Sequence, residues 1–309
     1  MRRAFLLLVC ALALATVRAR ADVAYSGSGV VVTSRNGKAP LDLPATLLKP
    51  AGNGPFPAIV MLHDCSGLGP RSSGAPLRWA STLAAQGYVV IIPDSFLPRG
   101  LPDGVCTAPP SAQVTSALPF ARAIDAYYAL GYLRTLSFVD RDHIGVMGGS
   151  HGGSTTLATI SKVAPDIAAR RPGAFAAAVA LYPGCGARYG GWSVVRANGD
   201  HGPVTQFNGL YEPVAPLLIL VGGADDWTPA EHCRVLAERS AAAGLPVSIK
   251  IYPDARHAFD SSNPPRYLAT RNNINKPDAK GATTGGDRAA WADAVKEVTR
   301  FFAEHLGPK

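Results

Sequence analysis

Short apolar runs punctuated by Gly and Pro set the rhythm of this chain. They fall at 43–49, 56–62, 88–93, 143–148, 175–182, 216–222 and 247–252, and most hold four to eight residues rich in Val, Ile and Leu. Runs of that length and composition predict strands. Val30–Val32 predicts a further edge strand near the start. The stretches Ala58–Leu62 and Leu217–Val221 contain no polar position at all. Continuous apolar strands suit a sheet covered on both faces, rather than one with a wet side.

Between the later runs the period lengthens to that of a helix. Helices are predicted at 77–86, 117–135, in the segment from Ser154 to Val163, at 229–243 and at 287–305. In the second, Phe120, Ile124 and Tyr128 share a face at a spacing of four; in the last, Trp291, Val295, Val298, Phe302 and Leu306 align, with Asp287 placed as the N-cap. Two β runs followed by alternating β and α segments predict an α/β fold: one doubly wound, mainly parallel sheet of about eight strands with helices on both faces. Three stretches, 95–116, 184–214 and 258–286, are rich in Gly, Pro, Asn and Ser and read as irregular. Each follows a predicted strand, so each emerges at the carboxyl edge of the sheet, where open α/β sheets bind ligands.

The chain has 309 residues and a formal net charge of +8. That charge raises a polyanion-binding reading, which depends on where the charges sit. The first residues supply an answer. Met1-Arg2-Arg3 is a basic start, Ala4–Ala15 is apolar, and Ala19-Arg20-Ala21 offers small residues at a cleavage site. This is the pattern of a cleaved secretory signal over 1–21, with Asp22 the first mature residue and 22–309 a single domain. The apolar run is too short to span a bilayer, so no stable membrane insertion is expected. Arg2, Arg3, Arg18 and Arg20 fall in that segment, and without them 26 basic residues face 22 acidic ones. The remaining charges are scattered, so no nucleic-acid partner is expected. An exported chain, periplasmic or secreted, also changes the meaning of Cys65, Cys106, Cys185 and Cys233: an even number in an oxidising compartment suits disulfides, and three pairings are open.

The sharpest chemical signal is Gly148-Gly149-Ser150-His151-Gly152-Gly153, between the strand Ile144–Met147 and a helical segment. A G-x-S-x-G sequence in strand–turn–helix context is a nucleophile elbow. Its turn is tight enough that side chains at 148 and 152 would collide with neighbours. The reward is a serine hydroxyl presented at a helix N-terminus, beside N–H groups that can receive negative charge. A serine needs a base. His257 stands just after the last predicted strand, the place for the base in the order serine, acid, histidine. The acid belongs after 216–222, where Asp225 and Asp226 are adjacent; Asp225 is preferred, with Asp226 left as a loop residue or helix cap. The oxyanion donors are expected to be the backbone N–H groups of His151 and, from the loop after 56–62, Cys65. His63, Asp64 and Cys65 are consecutive and cannot all face one ion, so neither a metal nor another cofactor is expected.

Taken together, His63–Leu68, Asp94–Gly100, the elbow, Tyr182–Cys185, Asp225–Pro229 and His257–Asp260 resemble the dienelactone hydrolase family of the α/β-hydrolase superfamily, over most of residues 45–305. The resemblance implies an α/β-hydrolase fold and cleavage of a small-molecule carboxylic ester or lactone through an acyl-enzyme. It also favours Asp225 through its spacing from Pro229. Two features depart from the founding members: a serine in place of a cysteine nucleophile, and export. The cysteines are similar to those of an exported subgroup, which implies the pairs Cys65–Cys106 and Cys185–Cys233. Arg99 is a candidate contact for a substrate carboxylate, set against the plainer expectation of a solvated loop arginine. The same triad would also serve an acyltransferase or a peptidase, and the same fold a non-catalytic binding protein. Oligomeric state is not legible in the chain.

Overall fold

The structure is a computed structural model that describes residues 25–35, 40–162 and 174–307. The expected signal segment, 1–21, lies outside the described residues, as do Val163 and the last two positions. Two strands, β1 (Tyr25–Ser34) and β2 (Leu41–Pro50), pair antiparallel at the edge of the main sheet. The sheet continues through β3 (Phe56–Leu62), β4 (Val89–Pro93), β5 (Val139–Gly149), β6 (Ala177–Leu181), β9 (Leu217–Gly222) and β10 (Val247–Tyr252). Its spatial order is β1-β2-β4-β3-β5-β6-β9-β10, antiparallel only at the β1–β2 and β2–β4 pairings. This is the mainly parallel, eight-stranded sheet expected from the apolar runs.

Helices cover both faces. Helices α3 (Pro119–Leu133), α4 (His151–Ile160) and α5 (Ala230–Ala242) pack on one face; α1 (Ala75–Ala84) and α6 (Arg288–Leu306) pack on the other. The strands divide residue by residue between the two cores. Ala58, Val60 and Leu62 point to the first, Ile59 and Met61 to the second; Leu217, Ile219 and Val221 join the first, Leu218 and Leu220 the second. Strand side chains alternate faces, so a strand buried on both must be apolar throughout. Asp287 caps α6 as expected, its carboxylate accepting from the Ala290 N–H at 2.9 Å.

Two expectations need correction. First, the buried stripe of α3 runs through Ala123, Ala126, Tyr127, Leu130 and Leu133, while Phe120 is exposed. Ile124 lies at the margin of that stripe, so counting by fours from it selects a neighbouring row of the helix. Second, the three irregular stretches contain structure. The first holds a short helix, α2 (Ala112–Ser116), and a single 3₁₀ turn at Leu97–Arg99; the second a ribbon of β7 (Ser193–Arg196) and β8 (Val204–Asn208); the third a hairpin of β11 (Arg266–Asn272) and β12 (Lys280–Thr284). These strands are short and polar, and neither joins the main sheet.

Candidate active site

Ser150 stands between the end of β5 and the start of α4 with φ 54° and ψ −116°. That left-handed conformation costs a non-glycine residue on the order of 1–3 kcal/mol. Its surroundings hold it there. The Ser150 N–H donates to the Leu181 carbonyl at 2.9 Å, and the Ser154 N–H to the Ser150 carbonyl at 2.8 Å. The flanking glycines allow the approach: a Cβ at 148 would lie 2.5 Å from the Gly152 carbonyl carbon, and a Cβ at 152 would fall on the Leu62 carbonyl oxygen of β3. The collisions expected from the motif are thus with backbone, which cannot swing aside.

His257 follows β10 and is buried, 1% exposed. Its Nε2 lies 2.9 Å from Ser150 Oγ, and its Nδ1 lies 2.8 Å from Asp225 Oδ2. A carboxylate only accepts, so Nδ1 carries the proton and Nε2 presents a lone pair to the serine. Asp225 follows β9, and its carboxylate is saturated. One oxygen accepts from the Trp227 and Thr228 N–H groups, both at 2.8 Å, and the other from His257 and from the Thr228 hydroxyl at 2.9 Å. Trp227 and Tyr182 flank the imidazole, with ring centroids 4.6 and 4.8 Å away.

The neighbouring Asp226 faces elsewhere. It accepts from the Thr283 N–H at 2.7 Å and the Thr283 hydroxyl at 3.1 Å, so it anchors β12 and is neither a solvated loop residue nor a helix cap. Cys65, in the turn after β3, lines the same cavity as Ser150, Tyr182, Trp227 and His257. His151 is the first residue of α4, and first-turn N–H groups lack helical partners. Among the described residues, then, the structure brings Ser150, His257, Asp225, Cys65 and His151 together. Disulfides join Cys65 to Cys106 and Cys185 to Cys233, the pairs the resemblance implies. The first lies in the cavity wall, since Cys65 and Cys106 both line it.

Arg99 is not at this site. Its guanidinium is paired with the buried Asp125 at 2.8 Å and donates to the Ser95 carbonyl at 2.7 Å, with 6% of the side chain exposed. Both expectations for it, substrate contact and solvated arginine, give way to a buried ion pair.

Several residues escaped the sequence reading. Thr228, Trp227 and Tyr182 stand in the Asp225–Pro229 and Tyr182–Cys185 motifs, but nothing in a motif tells which of its residues touch His257. The hairpin brings Arg271 and Thr284 to the cavity. That cavity, 60 Å³, adjoins two others of 170 and 290 Å³ that share Ser66 and Arg271 in their walls. Buried Asp260 holds the wall behind the histidine, accepting from Tyr182 OH at 2.8 Å and Trp79 Nε1 at 2.7 Å. Burial raises its carboxyl pKa. Arg122 and Asp125 form an i, i+3 charged pair of positions in an otherwise apolar stretch of α3, and that oddity was the available signal for them.

The profile of the dienelactone hydrolase family matches residues 43–306. The chain belongs to the dienelactone hydrolase family. A relative from Methylorubrum extorquens, named as a carboxymethylenebutenolidase, is 27% identical over 264 residues, which cover 84% of this chain and 82% of that protein. Among solved structures, one titled as a dienelactone hydrolase from Klebsiella pneumoniae superposes with TM-score 0.63 at 17% identity, covering 91% of this chain and 99% of that one. Esterase 2 of Thermogutta terrifontis, in a form phosphorylated by paraoxon, superposes with TM-score 0.56 at 20% identity, covering 91% of this chain and 96% of that one. At such identities these structures establish the shared fold. The family membership points to a hydrolase of esters or lactones.

Proposed function

We propose that this dienelactone hydrolase family member is an exported serine hydrolase that cleaves a small-molecule carboxylic ester or lactone through an acyl-enzyme. One observation carries the reading: His257 lies within hydrogen-bond reach of both the Ser150 hydroxyl and the Asp225 carboxylate. Ser150 attacks the carbonyl while His257 Nε2 takes the hydroxyl proton. Asp225 holds the imidazole in the required tautomer and stabilises the imidazolium. The N–H groups of His151 and Cys65 receive the oxyanion. Collapse expels the alkoxide, which takes the proton back from His257. Water, deprotonated by the same nitrogen, then attacks the acyl-enzyme and releases the acid and Ser150.

Two disulfides support an oxidising compartment, and no helix among the described residues is long and apolar enough to cross a membrane. Together with the basic and apolar start of the chain, they support export.

The decisive variant is Ser150→Ala, assayed on a panel of 4-nitrophenyl esters and lactones spanning chain length and acid charge. The expected result is a folded protein without turnover. Ester cleavage by that variant at the wild-type rate would refute the proposal.

A further inference from the structure

The two expected oxyanion donors come from different strands. Pairing between β3 and β5 ends at Leu62–Gly148, and both donors lie beyond that point, Cys65 after one strand and His151 after the other. Something other than the ladder must set their spacing.

Arg122 of α3 spans this gap. Its Nη2 donates to the His63 carbonyl at 2.8 Å, at the root of the Cys65 turn. Its Nη1 lies 2.7 Å from Nδ1 of His151, the residue after the nucleophile. Both contacts use one planar guanidinium, whose fork fixes the angle between them. The face of the group lies over Phe96, 4.8 Å from the ring centroid, and the same ring meets His63 at 4.5 Å and His151 at 5.6 Å.

The charge state of the cluster follows from donor counting. A guanidinium can only donate, so His151 Nδ1 must hold a lone pair and the ring is neutral. At His63, Nε2 accepts from the Ser95 N–H at 3.2 Å, so Nδ1 carries the proton and donates to the Asp64 carbonyl at 2.9 Å. Burial first, and then the Arg122 cation, hold both imidazoles well below their ordinary pKa. Arg122 itself is 0% exposed. Burial lowers its pKa to about 9, which still leaves it charged at neutral pH. A buried cation bonded to a neutral ring and a carbonyl, rather than to a carboxylate, is expensive to keep.

We infer that Arg122 is a positioning residue that fixes the spacing of the two oxyanion-hole segments through His63 and His151. It is fully buried and does not line the cavity beside Ser150. Its loss lets the two N–H donors drift, which weakens transition-state stabilisation while leaving the ground-state pocket in place. This inference rests on the serine-hydrolase reading above.

The test compares wild type with Arg122→Met, Arg122→Lys and His151→Leu. Paraoxon endpoint titration counts competent serines, so kcat for a 4-nitrophenyl ester is expressed per titrated site and is blind to any misfolded fraction. For Arg122→Met, kcat per site is expected to fall roughly 10- to 100-fold with KM unchanged, less than the roughly 10²- to 10³-fold of losing an oxyanion donor outright. Affinity for a trifluoromethyl ketone, which binds as a tetrahedral adduct, falls by the same factor, while affinity for the product acid does not move. Arg122→Lys and His151→Leu each break part of the bridge and are expected to lose less. If Arg122→Met does not fold, these two decide. A kcat per site indistinguishable from wild type in the variants that fold, or a loss confined to KM or to the number of titrated sites, overturns the inference. A wild-type chain that neither paraoxon nor any ester modifies overturns the hydrolase reading, and this inference with it.

Discussion

The turn at Ser150 and the β11–β12 hairpin both reach the same cavity, yet they lean on different kinds of bond. The elbow is held by backbone. Ser150 bonds to Leu181 and Ser154 through main-chain groups, and Gly148 and Gly152 let α4 press against β3 and β5. The hairpin is tied in mostly by side chains, with main-chain bonds from the Asn272 N–H to the Cys106 carbonyl at 3.1 Å and from the Gly285 N–H to the His257 carbonyl at 2.9 Å. Asp226 grips Thr283; Trp227 Nε1 donates to the Asn272 carbonyl at 2.7 Å; Asn273 Nδ2 reaches the carbonyls of Asp226 and Gly281 at 2.9 and 2.7 Å. The loop after β9 serves both regions, with Asp225 turned to His257 and Asp226 to the hairpin. A rigid backbone turn presents the Ser150 hydroxyl, while a stitched polar ribbon closes the wall around it.

Adjacent aspartates give the sharpest way to separate the two regions. Asp225→Asn is expected to keep the fold and lower kcat about 10⁴-fold, because an amide no longer enforces the Nδ1–H tautomer. Asp226→Asn is expected to leave kcat near wild type and lower thermal stability instead. Steady-state kinetics and a melting curve on the pair check this, and equal kinetic losses would erase the distinction. Next in size, Gly152→Ala places a Cβ on the Leu62 carbonyl oxygen, where no side chain can yield. About 3 kcal/mol of destabilisation is expected, at the upper end for overpacking. Denaturant unfolding measures it, and a neutral substitution would show that the helix can retreat. For Asp226→Asn the loss is about 1.5–3 kcal/mol, the cost of hydrogen bonds to a charged group.

A further effect concerns pH. His63 and His151 are kept neutral when folded, with pKa values well below the ordinary one, whereas the unfolded chain protonates them near 6.5. Stability from these groups is therefore complete above about 6.5 and erodes as pH falls below it, by about 1.4 kcal/mol per pH unit for each ring. Melting curves at neutral pH and at pH about 5 check the sign. A midpoint that does not fall would mean that these rings are already charged in the native state.

The same contrast explains what the sequence made legible. The strands could be read because burial on both faces leaves no polar residue in Ala58–Leu62 or Leu217–Val221. The elbow could be read because glycine is the only residue its close approach admits. The hairpin could not. Its strands are short and polar, with no apolar alternation to reveal them, and its bonds join residues some 50 positions apart, as Trp227 Nε1 does with Asn272 and Asp226 with Thr283. Phe120 misled for a related reason: an apolar residue next to a buried stripe need not belong to it. Arg99 misled because a loop arginine gives no sign that its carboxylate partner, Asp125, waits inside a helix.

Trapping the covalent intermediate tests the central claim most directly. Wild type and Ser150→Ala are mixed with a 4-nitrophenyl ester, quenched in acid before steady state, digested and mapped by mass spectrometry. A single acyl adduct on Ser150, absent from Ser150→Ala, is the expected result. Turnover of the ester by wild type with no adduct, or with the acyl group on another residue, would contradict it.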